Sequence, residues 1–144
     1  MTDQHITSHG FGRNLRLLTA PDYQAVFSQA EFKVSGPQFL ILAIRHGNVT
    51  PRLGLVIAKK NIRLAVQRNR SKRLIRESFR HHQDLLSGLD IVILARKGLD
   101  KLDNAAIVQL LEKLWQDLVR RRDRQVEKEA STQTVNKTTN QTTQ

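Results

Sequence analysis

The residues best suited to chemistry crowd into one segment, Lys59 to Arg80, which reads KKNIRLAVQRNRSKRLIRESFR. It holds nine basic side chains (Lys59, Lys60, Arg63, Arg68, Arg70, Lys72, Arg73, Arg76 and Arg80) against one acid, Glu77, and so carries eight of the chain's eleven net positive charges. A surface that serves only solubility mixes its signs. Positive charge gathered in one place costs self-repulsion, which a polyanion offsets. Arginine dominates, and its planar fork matches phosphate oxygens and stacks on bases. The chemistry on offer is therefore recognition of phosphate, with no bond-breaking group in the segment. Asn69 both donates and accepts, so it can read a base edge or a sugar hydroxyl; local capping of a helical turn is its plainer role.

The segment must be helical for these groups to act together. With Arg68 at 0° and steps of 100°, Ser71, Leu74, Ile75, Ser78, Phe79 and Leu85 fall between about 240° and 20°, while Asn69, Lys72, Arg73, Arg76 and Arg80 fall between about 40° and 140°. One face suits a core and the other is almost uniformly cationic. Arg68 borders the two, and Arg70 lies on the far side near Glu77. A merely solvated face would carry acids three or four residues from its bases, and Glu77 is nearly alone.

The remaining elements are legible around that helix. Thr19-Ala20-Pro21-Asp22 is a helix start, with a capping hydroxyl, an early proline and an acid at the positive end; Tyr23, Val26 and Phe27 then share one face of a helix ending near Gln29. Phe32 to Val34 forms a short strand, and Phe39 to Ile44 and Leu53 to Ala58 are apolar runs of strand length, which the spacing joins as a hairpin. Gly54 within a strand marks a bulge or a close backbone approach. Residues 65 to 86 are helical in pattern. Asp90 to Ala95 is another buried strand, and Asp103 caps a last helix with an apolar stripe from Ile107 to Leu118 and Trp115 at its edge. Arg120, Arg121, Arg122 and Arg124 either extend the basic surface or, the plainer role, favour the negative end of that helix.

Residues 1–14 read as a flexible arm, 15–122 as one domain, and 123–144 as a disordered polar tail with too little apolar surface to offset ordering entropy. There is no cysteine among the 144 residues, which excludes disulfides and thiolate metal sites and suits a reducing cytoplasm. No signal sequence or membrane-length apolar run stands out, so no membrane partner is expected. His5, His9, His46, His81 and His82 lack metal-ligand spacing, and no phosphate-cradling glycine loop, Ser/His/Asp set or carboxylate pair stands out. Helix, strands, basic helix, strand, helix is the order of an α+β sandwich.

The run Ala65-x-x-Arg68-Asn69-Arg70-x-Lys72-Arg73-x-x-Arg76, preceded by Lys59-Lys60, resembles the signature of the bacterial ribonuclease P protein subunit. The similarity continues in Arg16-Leu17, Tyr23-x-x-x-Phe27, Arg52-Leu53-Gly54-Leu55 and Asp90 to Gly98, and covers roughly residues 13 to 120. It implies a two-layer α–β sandwich with a mixed sheet and a left-handed βαβ crossover, against the usual hand. It also implies a subunit without catalytic residues of its own, whose partners are a catalytic RNA and precursor tRNA, with magnesium held mainly by the RNA and no small-molecule substrate. On this resemblance Lys59, Lys60, Arg63, Arg68, Asn69, Arg70, Lys72, Arg73 and Arg76 bind the catalytic RNA. Arg16, Tyr23, Phe27 and Phe39 line a cleft for the single-stranded 5′ leader, with Tyr23 expected to be more exposed than a partly core Phe27, and Leu55 and Ile57 as further floor. Ser71 stands where the family has an aliphatic residue, with its hydroxyl positioned to bond the carbonyl four residues earlier. Two rival readings are an RNA-binding module of the ribosomal or assembly-factor kind and a stand-alone nuclease; the latter needs clustered metal ligands that the sequence does not offer.

Overall fold

The computed structural model describes residues 15–17, 19–47 and 49–142, the last ten of them as backbone; the arm expected over 1–14 lies outside the described residues. Helix α1 (Ala20–Gln29) begins at Thr19. The Asp22 N–H donates to the Thr19 hydroxyl and the Thr19 N–H donates to the Asp22 carboxylate, both at 3.3 Å, with Pro21 in the first turn. The reciprocal box satisfies two donors that a helix start otherwise leaves unpaired. Strands β1 (Phe32–Ser35) and β2 (Phe39–Arg45) form an antiparallel pair. Then come β3 (Arg52–Val56), the basic helix α2 (Ala65–His81), β4 (Leu89–Ala95), a 3-10 turn (Leu99–Lys101) and α3 (Asn104–Thr142). The Asp103 carboxylate caps α3 by accepting from the Ala106 N–H at 2.8 Å.

The sheet order is β1-β2-β4-β3, with β4 antiparallel to β2 and parallel to β3. The hairpin expected between β2 and β3 does not form, because β4 lies between them. Chain proximity favoured the hairpin, but burial decides otherwise. β4 is apolar on both faces and needs a neighbour on each side, whereas β3 carries Arg52 and Gly54 and tolerates an edge. Because β3 and β4 are parallel, their connection must cross over, and α2 is that crossover.

Helices α2 and α3 pack on one face of the sheet, where Ile75, Phe79, Leu111 and Trp115 meet Phe39, Ile41 and Ile93. Trp115 is a central core residue, not the edge residue its spacing suggested: it is fully buried, stands edge-on to Phe79 at 6.2 Å, and donates its indole N–H to the Ser78 hydroxyl at 2.8 Å. Ser71 is fully buried and bonds back to the Gln67 carbonyl at 2.9 Å, so its polarity is satisfied without breaking the helix. Helix α1 lies on the other face, where Val26 and Leu17 pack on Val92.

Past Asp123, where composition argues for disorder, the chain stays helical. Arg45 explains the first part of that extension. Its guanidinium binds Glu129 of α3 through two bonds (2.7 and 2.8 Å) and Glu31 through two more (2.6 and 3.1 Å), and it stacks over the Phe32 ring at 5.9 Å. Arg45 holds Glu129 well below the usual carboxylate range, at about 2, and lowers Glu31 as well. Carboxylates with lowered values stabilise the fold above their ordinary range and lose that contribution as pH falls through the lowered value. Arg45→Met is therefore expected to be less stable than the parent above about pH 5. The difference should shrink as pH falls towards 2, read from urea midpoints across a pH series; a difference independent of pH would remove the clamp from the account.

Candidate nucleic-acid interface

The fold presents two surfaces. The first is the outer face of α2. Asn69, Lys72, Arg73, Arg76 and Arg80 gather there with Glu77 around a shallow cavity of about 380 Å³. The helical projection thus gives the right face, and Arg80 belongs with the residues that the resemblance assigns. The buried Nε of Arg80 has no hydrogen-bond partner among the described residues, leaving a donor unsatisfied beside that cavity. Arg68 supports the surface from within: its Nη1 donates to the Ile62 and Arg63 carbonyls, both at 2.9 Å, and fixes the loop leading into the helix.

Arg70 does not join this surface. It points to the opposite side of α2, donating to Gln67, to the Asn104 side chain at 2.7 Å and to the Leu102 carbonyl at 3.0 Å. Its 200° position on the helix faces the start of α3, so its guanidinium straps two elements together.

Next to the ridge, Lys60 and Arg63 share a wider cavity of about 860 Å³ with Lys97 and Lys101, while Lys59 is exposed beside them. Sequence reasoning missed Lys97 and Lys101. The parallel register, Val56 opposite Leu94, sends the loops after β3 and β4 out of the same end of the sheet. Only that pairing brings residues so distant in sequence together.

The second surface is the sheet face under α1. The registers place Ser35, Leu40, Leu94 and Val56 in one row, and Lys33, Leu42, Val92 and Gly54 in the next. Helix α1 covers the second row. In the first, Leu40, Leu94 and Val56 remain half-buried, so the row is an open apolar floor beside the helix. Tyr23 packs with Val56 and Leu94 against the Leu17, Val26 and Val92 cluster, and the exposures reverse the expected order: Tyr23 is half-buried and Phe27, one turn along α1, is 41% exposed. The reason is Gly54. A Cβ there would lie 2.7 Å from the Tyr23 ring, and the Leu55 N–H donates to the Tyr23 hydroxyl at 3.3 Å. The ring is thus pressed onto the β3 backbone, and the close approach marked by glycine is made by a side chain.

Phe39 cannot serve this groove. It is fully buried in the core on the other face, and Leu55 and Ile57 also pack towards that core. Strand parity decides the matter: adjacent residues point to opposite faces, so the floor falls to Leu40, Val56 and Leu94. Alternation was hidden because both faces of these strands are apolar. Arg16 is exposed and bridges to Leu53 in the edge strand β3, close to Tyr23.

A basic helix on one face of a β1-β2-β4-β3 sheet and an aromatic-walled groove on the other can be compared with known proteins. The family model described as Ribonuclease P matches residues 11–119. This chain belongs to the ribonuclease P protein family. The ribonuclease P protein component of Pseudomonas aeruginosa strain PAO1 is 56% identical over 119 residues, covering 83% of this chain and 88% of that protein. That of Stutzerimonas stutzeri strain A1501 is 54% identical over 113 residues, covering 78% and 86%. Among solved structures, the Staphylococcus aureus RNase P protein superposes with a TM-score of 0.66 at 28% identity, covering 71% of this chain and 93% of that one. The Thermotoga maritima RNase P protein superposes at 0.61 with 30% identity, covering 70% and 96%. The chain is accordingly a protein subunit of ribonuclease P, the endoribonuclease holoenzyme that matures tRNA 5′ ends.

The Gly54 contact generates a direct test. Gly54→Ala must displace the Tyr23 ring and break its bond to Leu55. It is expected to weaken binding of leader-bearing precursor tRNA several-fold in the holoenzyme while leaving mature tRNA binding unchanged. Equal effects on both would detach Tyr23 from leader recognition.

Proposed function

We propose that the ridge on α2 docks this subunit onto the catalytic RNA and that the groove beside α1 takes the single-stranded leader of precursor tRNA. The observation that carries the division is the separation of the two surfaces by the sheet, one cationic and one apolar with aromatic walls. Asn69, Lys72, Arg73, Arg76 and Arg80, with Lys59, Lys60 and Arg63 beside them, offer charge-assisted bonds to a folded phosphate backbone, and Arg68 fixes the loop that leads into their helix. Tyr23 and Phe27 over Leu40, Val56 and Leu94 offer stacking of roughly 1–3 kcal/mol per base with little sequence preference, which suits many different leaders. Arg16 and Lys33 border that groove and meet the strand's phosphates.

In this reading the bond-breaking chemistry belongs to the RNA, with its magnesium ions. Among the described residues no group of three or more His, Asp or Glu side chains converges to hold a metal ion, so no magnesium ligand is assigned to this chain. No helix among them is long and apolar enough to cross a membrane; the cytoplasm, where precursor tRNA is found, is the compartment that fits the proposal.

Reconstitution tests the assignment. Adding the protein to its catalytic RNA and a leader-bearing precursor at low magnesium is expected to restore cleavage. No improvement would sink the subunit's proposed role, and cleavage by protein alone would return the chemistry to the chain. Arg73→Ala with Arg76→Ala should lower the slope of log affinity against log salt for the catalytic RNA by about 1.5 to 2; an unchanged slope moves the phosphate contacts off α2.

A further inference from the structure

We infer that the flank of α3 carrying Arg121, Arg124 and Lys128 is a second surface for the phosphate backbone of the catalytic RNA, held in place by the Arg45 clamp. The inference rests on the reading that this RNA is the chain's partner. It concerns residues past the family match, which ends at residue 119.

The charges need an explanation that the helix end no longer supplies. Cations near a helix C-terminus are favoured by the macrodipole only within its last turn. Helix α3 runs to Thr142, 18 residues beyond Arg124, or about 27 Å at 1.5 Å per residue. These arginines sit in mid-helix, and the sequence-based assignment to the negative end fails. Their neighbours are committed to the fold: Arg120 pairs with Asp117 at 2.7 Å, and Arg122 binds the Leu85 and Ser87 carbonyls and Asp123. Among the described residues no hydrogen bond or ion pair engages the side chains of Arg121, Arg124 or Lys128, although the Lys128 carbonyl accepts from the Thr132 hydroxyl at 2.9 Å, and all three are exposed.

Steps of three and four residues put the three cations on one side of the helix, along about 10 Å of its axis. With Glu31, Phe32 and Gln125 they border a cavity of about 190 Å³ against the edge of β1. The nearby carboxylates do not cancel them. Glu31 and Glu129 share Arg45, while Asp117 and Asp123 pair with Arg120 and Arg122; that leaves one net negative charge at the clamp and Glu127 against three positive, a net of one positive charge on this flank. The clamp also fixes the direction of this flank, since Glu129 lies one residue past Lys128. Among RNA partners the catalytic RNA fits better than the leader, because α3 shares its side of the sheet with α2 and the sheet separates both from the α1 groove.

The test is binding of the full chain to its catalytic RNA across a salt series, with circular dichroism to verify folding. R121Q/R124Q/K128Q is expected to bind more weakly and to lower the log–log slope by about two to three, with an unchanged melting temperature. Glu129→Ala separates geometry from bulk charge: it raises the net charge by one, so unspecific attraction would tighten binding, whereas loss of the clamp should weaken it. Unchanged affinity and slope in the triple variant, or tighter binding by Glu129→Ala, overturns the inference and leaves the α2 assignment standing. An equal loss for precursor tRNA in the absence of catalytic RNA also overturns it. A parent chain that fails to bind the catalytic RNA overturns both readings at once.

Discussion

Strand β4 is the constraint on which the other features depend. Leu89 to Ala95 is buried on both faces, and a strand of that kind must lie inside a sheet with both faces covered. Its antiparallel pairing with β2 and parallel pairing with β3 oblige the chain between β3 and β4 to cross over as α2. That helix buries Ile75 and Phe79 and so must turn Lys72, Arg73, Arg76 and Arg80 to solvent. The same pairing sets the rows of the opposite face, where α1 covers one and leaves the next open. Ridge and groove are two consequences of one strand's burial.

Polar contacts tune this frame more than they create it. Arg70 gives up a place on the cationic face to bind the Leu102 carbonyl and Asn104, joining the crossover helix to α3. Arg68 fixes the loop through the Ile62 and Arg63 carbonyls. Arg52 binds Asp90 at 2.6 Å and approaches Asp22 at 3.8 Å, tying the edge strand to its neighbour and to α1. In a chain so rich in arginine, some cations hold the structure so that others can face a partner. Hydrogen-bond partners, not charge alone, divide the two groups.

The helices were legible because their signals are local. The Thr19 cap with Asp22 in the first turn, the Asp103 cap, the stripe from Ile107 to Leu118 and the two faces of α2 depend on residues a few positions apart, and the structure places all of them as the spacing requires. Strand neighbours were less legible. Phe39 to Ile44 and Leu53 to Ala58 are apolar at nearly every position, so alternation gave neither their partner nor their facing. Hence the hairpin that does not form, and hence Phe39 in the core while Leu40 floors the groove. Tyr23 and Phe27 share one helix face as their spacing requires, but their expected exposures are inverted, because Gly54, 31 positions from Tyr23, draws the tyrosine ring inwards.

By itself the sequence determined the charge and the helix that gathers it on one face, since net charge and helical spacing are properties of the chain alone. Tertiary structure decided which cations are available: it committed Arg70 and Arg122 to carbonyls, brought Lys97 and Lys101 beside Lys60 and Arg63, and moved Arg121 and Arg124 from an expected helix end to mid-helix. Those outcomes depend on which strands pair and where α3 stops, and pairing is settled by burial summed over distant segments. No window of sequence contains that sum.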